Sequence, residues 1–296
     1  MAALYSDFFV EDKQLVEQYL DEHLPSADNQ PRVFFESMRY SVLNGGKRLR
    51  PVLILETADM LGSDKNRVLP FAAAVEMIHS YSLIHDDLPA MDNDDFRRGQ
   101  PTSHKVYGEA NAILAGDAIL THSFYELTEL GQSFEPANVL KLIGLVSRYA
   151  GIDGMVKGQS ADINKTSIDH DTEKSVLFIH KNKTARLITL CFEGTAALTG
   201  APAAMRLDLK RAGEQLGLAF QIQDDILDAT GDAKKMGKDT KSDSKNDTLT
   251  YLSIADISAA QEKVRELAAT AKKIFKGFEK SDKMIKIIEK IEWREK

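Results

Sequence analysis

The stretch SLIHDDLPAMDNDDFRRG, residues 82–99, ends an apolar helical segment in five aspartates and two arginines. Pro89 disfavours helical backbone at the residue before it, so we expect the helix to end near Asp86 and a loop to bring Asp92 back toward it. Acidic and basic groups this close should partly cancel each other. The presence of both signs therefore indicates a ligand with opposite charges of its own, such as an anion that carries metal ions.

The rest of the chain has the same helical periodicity. Apolar residues recur at three- and four-residue spacing almost throughout, and sustained alternation of β-branched residues is absent. Clusters of Gly, Pro and small polar residues separate about ten or more helical segments, and none of these breaks divides two cores. The pattern predicts an all-α protein built as one large single-domain bundle over residues 1–296. The lysine-rich stretch 230–248 lacks apolar periodicity and is either a mobile flap or a solvated loop.

Composition argues against several classes of protein. The 296 residues carry a net charge of −7 with a pI near 5.6, whereas proteins that bind nucleic acid or anionic membranes favour a basic surface. No stretch reaches the ~18 apolar residues of a membrane-spanning helix, and the N-terminus lacks the basic and apolar regions of a signal peptide. The single cysteine, Cys191, has no disulfide partner within the chain, which fits a cytoplasmic location.

A second acidic segment, FQIQDDILD (220–228), has clearer geometry. Four polar side chains fall at helical spacing on one face: Gln221, Asp224, Asp225 and Asp228. Lysine and arginine, the usual counterions of such a face, are absent between Arg211 and Lys234, and the neighbouring residues are apolar. Unpaired carboxylates on a buried helix are costly unless a cation binds them, so the pattern predicts metal ligands.

Magnesium fits the two acidic segments better than zinc does. It prefers oxygen ligands, retains waters and commonly bridges one or two carboxylates to substrate phosphates. Zinc favours Cys and His ligands, which are absent or sparse here. His79 lies about 10 Å from Asp86 along the same helix face, where a histidine is more often a satisfied core residue than a ligand. Arg97 and Arg98 follow the first segment and can bind phosphate oxygens without competing for the metal.

Two basic segments complete the pattern. GGKRLRP (45–51) supplies three basic residues beside two glycines, but it lacks the spacing of a phosphate-binding Walker A loop. HKNKTARL (180–187) places Lys183 in a helix with apolar neighbours, so its ammonium group either extends to solvent or meets an anion. Each segment alone is equally consistent with an ordinary solvated surface.

Five motifs follow one another across residues 45–239: GGKRLRP, DDLPAMD with RRG, KT, FQIQDDILD and GKD. This ordered set resembles that of the trans-isoprenyl diphosphate synthases, especially the bacterial members that make farnesyl diphosphate. The resemblance implies the isoprenoid synthase fold, in which helices surround a deep central cavity and the two acidic motifs face each other across it. It also implies a homodimer that transfers an allylic prenyl group to isopentenyl diphosphate.

The resemblance further implies a role for each matching residue. Up to three magnesium ions would be held by Asp86, Asp87, Asp92, Asp224, Asp225 and Asp228. The allylic diphosphate would contact Arg97, Lys183 and Lys238. The site for isopentenyl diphosphate would comprise Gly46, Lys47, Arg50, His79 and Arg98. The residues near the developing carbocation would be Lys183, Thr184 and Gln221, and a basic tail with Arg294 and Lys296 would close over the site.

The size of the product is expected to depend on Tyr81, which lies about 7.5 Å before Asp86 along the helix. In the family an aromatic residue there limits chain growth, so the resemblance implies (E,E)-farnesyl diphosphate as the product, from dimethylallyl or geranyl diphosphate. Geranylgeranyl diphosphate is the alternative within the family. From other classes, His79 and the HD pair at 85–86 allow an HD-type metal phosphohydrolase, and a non-catalytic helical partner protein is a third alternative.

Two positions depart from the family pattern. Thr248 stands where relatives usually carry a lysine just before a TY pair, and Lys245 is the candidate replacement. Lys157 stands where a small residue is expected, and the sequence offers no account of it.

Overall fold

The computed structural model of the chain describes residues 9–230 and 249–293. Within these residues the protein is mostly helical, which confirms the all-α prediction. The sheet that they contain is a hairpin of two-residue strands, β1 (Phe96–Arg97) and β2 (Gln100–Pro101). No helix in this part of the chain combines the length and apolar character needed to cross a membrane.

The described residues form two compact units, and the prediction of a single domain over residues 1–296 stays a prediction. The first unit contains residues 9–55 and 66–133, and the second contains residues 56–65, 134–230 and 249–293. Each unit has its own buried core and its own share of the predicted site residues.

The first unit is built from six α-helices. They are α1 (Val10–His23), α2 (Arg32–Leu43), α3 (Leu49–Met60, of which residues 56–60 belong to the second unit), α4 (Leu69–Asp86), α5 (Ser103–Tyr107) and α6 (Glu109–Glu129). Short 3-10 turns precede α4 and follow α6.

Helix α4 is the centre of the first unit. Pro70 lies in its first turn, where the missing N–H has no helical partner to lose, and the helix is buried on nearly every side. It packs against α6, where Gly116 leaves room for the His85 ring, since a Cβ at Gly116 would lie 2.2 Å from His85 Nε2. The helix ends at Asp86, as Pro89 predicted.

The β-hairpin presents the two arginines that follow the first acidic segment. Arg97 pairs with Gln100 across the turn, so Arg98 and Gly99 are its two central residues. Both have positive φ, 54° and 77°, as a type I′ turn requires. Glycine adopts this backbone freely, whereas Arg98 occupies a left-handed conformation that a non-glycine residue keeps only where its surroundings hold it.

The second unit contains a run of helices from residue 136 onward. They are α7 (Pro136–Ala150), α8 (Met155–Ile163), α9 (Thr172–Ile179), a π-helix (His180–Ala185), α10 (Arg186–Leu198), α11 (Ala203–Thr230), a 3-10 turn (Tyr251–Ser253), α12 (Ile257–Phe275) and α13 (Asp282–Glu292). Helix α11 packs on α12 through an apolar stripe at four-residue spacing: Leu218, Ile222 and Ile226 meet Val264 and Leu267.

The π-helix lies between α9 and α10 and has wider turns than its neighbours, a feature that is frequent at functional sites. Gly158 of α8 lies directly against it. A Cβ at Gly158 would be only 2.1 Å from the backbone nitrogen of Lys183. The backbones of α8 and the π-helix are therefore in direct contact.

Candidate functional site

The first acidic segment folds back on itself at the C-terminal end of α4. The backbone N–H of Asp92 donates a 2.8 Å hydrogen bond to the carbonyl oxygen of Asp86, which confirms the predicted return of the loop. Both side chains are partly exposed. Their carboxylates are therefore accessible to a ligand at this end of the helix.

Asp87, in contrast, is buried and faces Arg97. Arg97 Nε donates a 2.6 Å hydrogen bond to Asp87 Oδ1, and Arg97 Nη2 lies 2.5 Å from the same oxygen and 3.2 Å from Asp94 Oδ2. Burial raises the pKa of the Asp87 carboxyl to about 6, while Arg97 acts in the opposite direction. The mixed charges of this segment thus pair with one another within the chain.

His79 lies in a basic part of the first unit. Burial lowers the pKa of His79 well below its usual value, and Arg50, Arg98, Arg97 and Arg48 lower it further. The imidazole is therefore neutral at pH 7. In that form it can donate one hydrogen bond to a phosphate without adding charge.

Gly46 and Arg98 are in direct contact in this basic region. Arg98 Nη1 donates a 2.6 Å hydrogen bond to the carbonyl oxygen of Gly45. Gly46 has φ 111°, and a Cβ there would lie 2.7 Å from Arg98 Cζ. The backbone conformation therefore favours glycine at this position, and a Cβ there would displace the guanidinium group. Lys47, next in the chain, is exposed.

Sequence reasoning missed one residue of this region, the buried carboxylate Glu76. Its Oε1 accepts a 2.7 Å hydrogen bond from Arg48 Nη1 and lies 3.8 Å from Arg98 Nη2. The signal that could have found it is an acidic residue inside an apolar run, three positions before His79.

The second acidic segment is organised around Asp225, which is 4% exposed. Its Oδ1 accepts a 2.9 Å hydrogen bond from Gln221 Nε2. Its Oδ2 accepts a 2.6 Å hydrogen bond from the backbone N–H of Tyr251 and lies 3.2 Å from His180 Nε2. Thr184 Oγ1 donates a 2.5 Å hydrogen bond to Gln221 Oε1. The predicted residues Thr184, Gln221 and Asp225 therefore form one hydrogen-bonded chain.

Lys183 meets an anion, one of the two outcomes that its sequence context allowed. Its Nζ donates a 2.6 Å hydrogen bond to Asp162 Oδ2, on α8. Asp162 was not predicted, and neither were His180 and Tyr251. Their positions in sequence gave no local signal, because each is far along the chain from the residue that it contacts.

The other two aspartates of the second segment lie on the same helix, α11. Asp224 is partly exposed and Asp228 is buried. They are four residues apart and so lie on one helix face, as predicted. This spacing allows both carboxylates to serve one site.

Tyr81 lies within α4 and is 6% exposed. Its ring packs edge-on against His85, with ring centroids 5.8 Å apart. Burial, with a smaller effect of Asp86, raises the pKa of Tyr81 to about 12, so the side chain is a neutral bulky group at pH 7.

Lys157, which the sequence left unexplained, places its ammonium group 5.3 Å from the centre of the Phe178 ring. This is a cation–π contact between α8 and α9. The predicted residues Lys238, Arg294 and Lys296 lie outside the described residues, as do Thr248 and Lys245.

The acidic side chains have the chemistry that magnesium requires. Among the described residues, no three His, Cys, Asp or Glu side chains converge into a preformed metal centre. Magnesium does not need one, because one or two carboxylates bind it together with waters and substrate phosphates. Asp86 and Asp92, which adjoin each other, and Asp224 and Asp228, on one helix face, offer oxygen atoms only.

Comparison with known proteins identifies the family. Residues 31–291 match the family model described as polyprenyl synthetase. Over 261 residues, the chain is 45% identical to a farnesyl diphosphate synthase of Geobacillus stearothermophilus. The match covers 87% of this chain and 86% of that protein. This family assignment removes the support for a phosphohydrolase or a non-catalytic partner protein.

Solved structures agree with the sequence comparison. An FPP/GFPP synthase from Zymomonas mobilis matches with a TM-score of 0.86 and 34% identity, covering 98% of this chain and 100% of that one. A geranyltransferase from Helicobacter pylori, in complex with magnesium and isoprenyl diphosphate, matches with a TM-score of 0.79 and 28% identity, covering 98% of this chain and 96% of that one. The chain therefore belongs to the polyprenyl synthetase family of trans-prenyltransferases.

Proposed function

We propose that this protein condenses isopentenyl diphosphate with dimethylallyl or geranyl diphosphate to give (E,E)-farnesyl diphosphate. The observation that carries the proposal is the family match over residues 31–291, together with 45% identity to a relative named farnesyl diphosphate synthase. The site chemistry supports it, because acidic and basic side chains adjoin one another in each unit.

The proposal assigns up to three magnesium ions to the six aspartates of the two acidic segments. Asp86 and Asp92 of the first segment, and Asp224 and Asp228 of the second, supply carboxylate oxygens. Asp87 and Asp225 add charge and also hold Arg97 and Gln221 by hydrogen bonds. Bound magnesium supplies the Lewis acidity that an allylic diphosphate needs in order to ionise.

Basic side chains complete the binding of the allylic diphosphate. Arg97 and Lys183 donate charge-assisted hydrogen bonds to its oxygens, as does Lys238. Thr184 and Gln221 are already aligned by their mutual hydrogen bond, so they present fixed dipoles near the carbocation. Apolar walls exclude the water that would otherwise quench the cation.

The second substrate must not ionise, so it is bound by basic groups without metal. Gly46, Lys47, Arg50, His79 and Arg98 hold the diphosphate of isopentenyl diphosphate and direct its double bond at the cation. The proton lost after bond formation passes to the departing diphosphate. The C-terminal residues Arg294 and Lys296 are proposed to close the site.

Tyr81 supports a fifteen-carbon product, because its buried ring lies on α4 five residues before Asp86, where an aromatic side chain can limit chain growth. The test is to incubate the purified protein with magnesium, isopentenyl diphosphate and either dimethylallyl or geranyl diphosphate. The products are dephosphorylated and the alcohols separated by chromatography. Farnesol is the expected alcohol. Geranylgeraniol as the main alcohol would support the alternative product, and the absence of chain elongation would refute the proposal.

The proposal extends to a single-domain homodimer in the cytoplasm. The single, buried cysteine Cys191 supports the location, because a cytoplasmic protein does not need disulfides. Light scattering on the purified protein tests the assembly, and a mass near that of one 32.9 kDa chain would contradict the dimer.

A further inference from the structure

Glu76 is a buried carboxylate on α4 to which the proposed reaction assigns no role. Its side chain is 2% exposed. Burying a carboxylate is costly unless it is paired and hydrogen-bonded. Its partners therefore indicate why an acidic residue lies in the buried part of this helix.

One partner is Arg48, whose side chain is completely buried. Arg48 Nη1 donates a 2.7 Å hydrogen bond to Glu76 Oε1, and Nη2 donates a 2.8 Å hydrogen bond to the carbonyl oxygen of Val42. Arg48 Nε lies 3.5 Å from Glu17 Oε1. Arg48 has a left-handed φ of 50°. Its side-chain contacts hold this backbone conformation, next to Lys47, in place.

The other partner is Arg98, from the turn of the β-hairpin. Arg98 Nη2 lies 3.8 Å from the same oxygen, Glu76 Oε1. Arg98 Nη1 bonds to the carbonyl oxygen of Gly45, and the guanidinium lies over Gly46. A single carboxylate oxygen thus lies between two arginines that come from two different loops.

We propose that Glu76 is a positioning residue for isopentenyl diphosphate: it holds Arg48 and Arg98 in place so that the loop 45–48 and Arg98 present fixed donors to that diphosphate. This inference rests on the proposed function. Like charges repel, and a carboxylate near both guanidinium groups offsets that repulsion. Fixed donors bind more tightly, because less side-chain entropy is lost on binding.

The net charge of the site predicts the opposite effect from positioning. Removal of a carboxylate makes the basic region more positive, which by itself strengthens binding of a diphosphate. Loss of positioning weakens binding. The direction of the change therefore distinguishes the two.

Two substitutions change the charge and the geometry of Glu76 in turn. Glu76→Gln keeps an oxygen acceptor of the same reach and removes the charge, whereas Glu76→Asp keeps the charge and withdraws it by one methylene. We expect each to raise the KM for isopentenyl diphosphate about tenfold, the effect of losing a charge-assisted hydrogen bond. The KM for geranyl diphosphate should stay within about twofold.

Glu126→Gln is the matched control, because Glu126 is also a buried glutamate of the first unit and is 1% exposed. It accepts a 3.0 Å hydrogen bond from Tyr19 Oη and lies 3.5 Å from His122 Nε2. This variant should lose thermal stability as Glu76→Gln does and keep the wild-type KM for isopentenyl diphosphate. Calorimetric titration of each variant with isopentenyl diphosphate checks the kinetic result.

A double-mutant cycle tests whether Glu76 acts through Arg98. Once Arg98→Lys has weakened binding, Glu76→Gln should add less than about threefold. Fully additive losses would overturn the inference. So would a KM for isopentenyl diphosphate that is unchanged or lower in Glu76→Asp, whether or not Glu76→Gln folds. If the wild-type protein makes no prenyl product, the proposed function fails instead.

Discussion

Replacement of Gly158 by alanine is the sharpest steric test of the site in the second unit. A Cβ at Gly158 would lie 2.1 Å from Lys183 N, 2.6 Å from Lys183 Cα and 2.7 Å from Asn182 C. All three are backbone atoms, so no side-chain rotation relieves the clash. Because contacts of a Cβ atom below 3.4 Å are tight, α8 and the π-helix would have to separate by about 1 Å.

This displacement sets the magnitude of the expected effect. Overpacking of this kind costs about 1–3 kcal/mol of stability. The shift also moves Lys183 and Thr184 relative to the rest of their unit and stretches the bond to Asp162. A misplacement of about 1 Å at a reacting centre costs about 100-fold in rate. We therefore expect kcat/KM for geranyl diphosphate to fall about 100-fold while the protein remains folded.

The assay measures incorporation of radiolabelled isopentenyl diphosphate at varied geranyl diphosphate, with thermal unfolding as the check on folding. Gly144→Ala is the matched control, because Gly144 lies on α7 and a Cβ there would meet nothing within 4 Å. Alanine in a helix should leave activity unchanged and stabilise the fold by about 0.5–1 kcal/mol. Wild-type kcat/KM and melting temperature in Gly158→Ala would refute the reasoning.

Three further predictions concern the first unit and the acidic segments. Tyr81→Ala should yield prenyl chains longer than fifteen carbons by chromatography, and an unchanged product distribution would show that Tyr81 does not limit chain growth. Asp86→Ala and Asp224→Ala should each lower turnover by at least about 100-fold, and near wild-type rates would count against the magnesium sites. Burial and Arg50 keep the pKa of His79 in the folded protein well below 6.5. As the pH falls below 6.5, His79 therefore binds a proton only in the unfolded chain, and the folded state loses stability. In the absence of substrate, His79→Gln should reduce the decrease of the melting temperature below pH 6.5, and an unchanged decrease would contradict this.

The sequence was sufficient for the fold class and for the end of α4. Helical periodicity predicted the fold class, because each amphipathic or buried helix must repeat its apolar residues every three or four positions. Proline predicted the end of α4 and the loop that returns Asp92 to Asp86, because its constraint acts on the residue beside it. The shared face of Asp224 and Asp228 followed from helix geometry alone.

The partners of the site residues could not be predicted in the same way. Glu76 is 28 residues from Arg48, and Tyr251 is 26 residues from Asp225. Such pairs are set by tertiary packing, which leaves no periodic trace in the sequence. The π-helix is a similar case, since the close approach of Gly158 to Lys183 becomes visible only when both helices are in place.

Several cations of the proposed site are paired with carboxylates of the chain itself. Arg97 is bonded to Asp87, Lys183 to Asp162, and Arg98 lies near Glu76. Leaving one partner of a buried ion pair uncompensated costs several kcal/mol, so the cations need anions whether or not a diphosphate is present. Under the proposed function, a diphosphate that arrives with magnesium carries both negative and positive charge. The metal can therefore pair with the site carboxylates while the phosphate oxygens pair with the cations. A diphosphate without magnesium would have to draw Arg97 away from Asp87 and leave that buried carboxylate without its partner. The internal pairs thus favour the metal complex of the allylic substrate over the free anion.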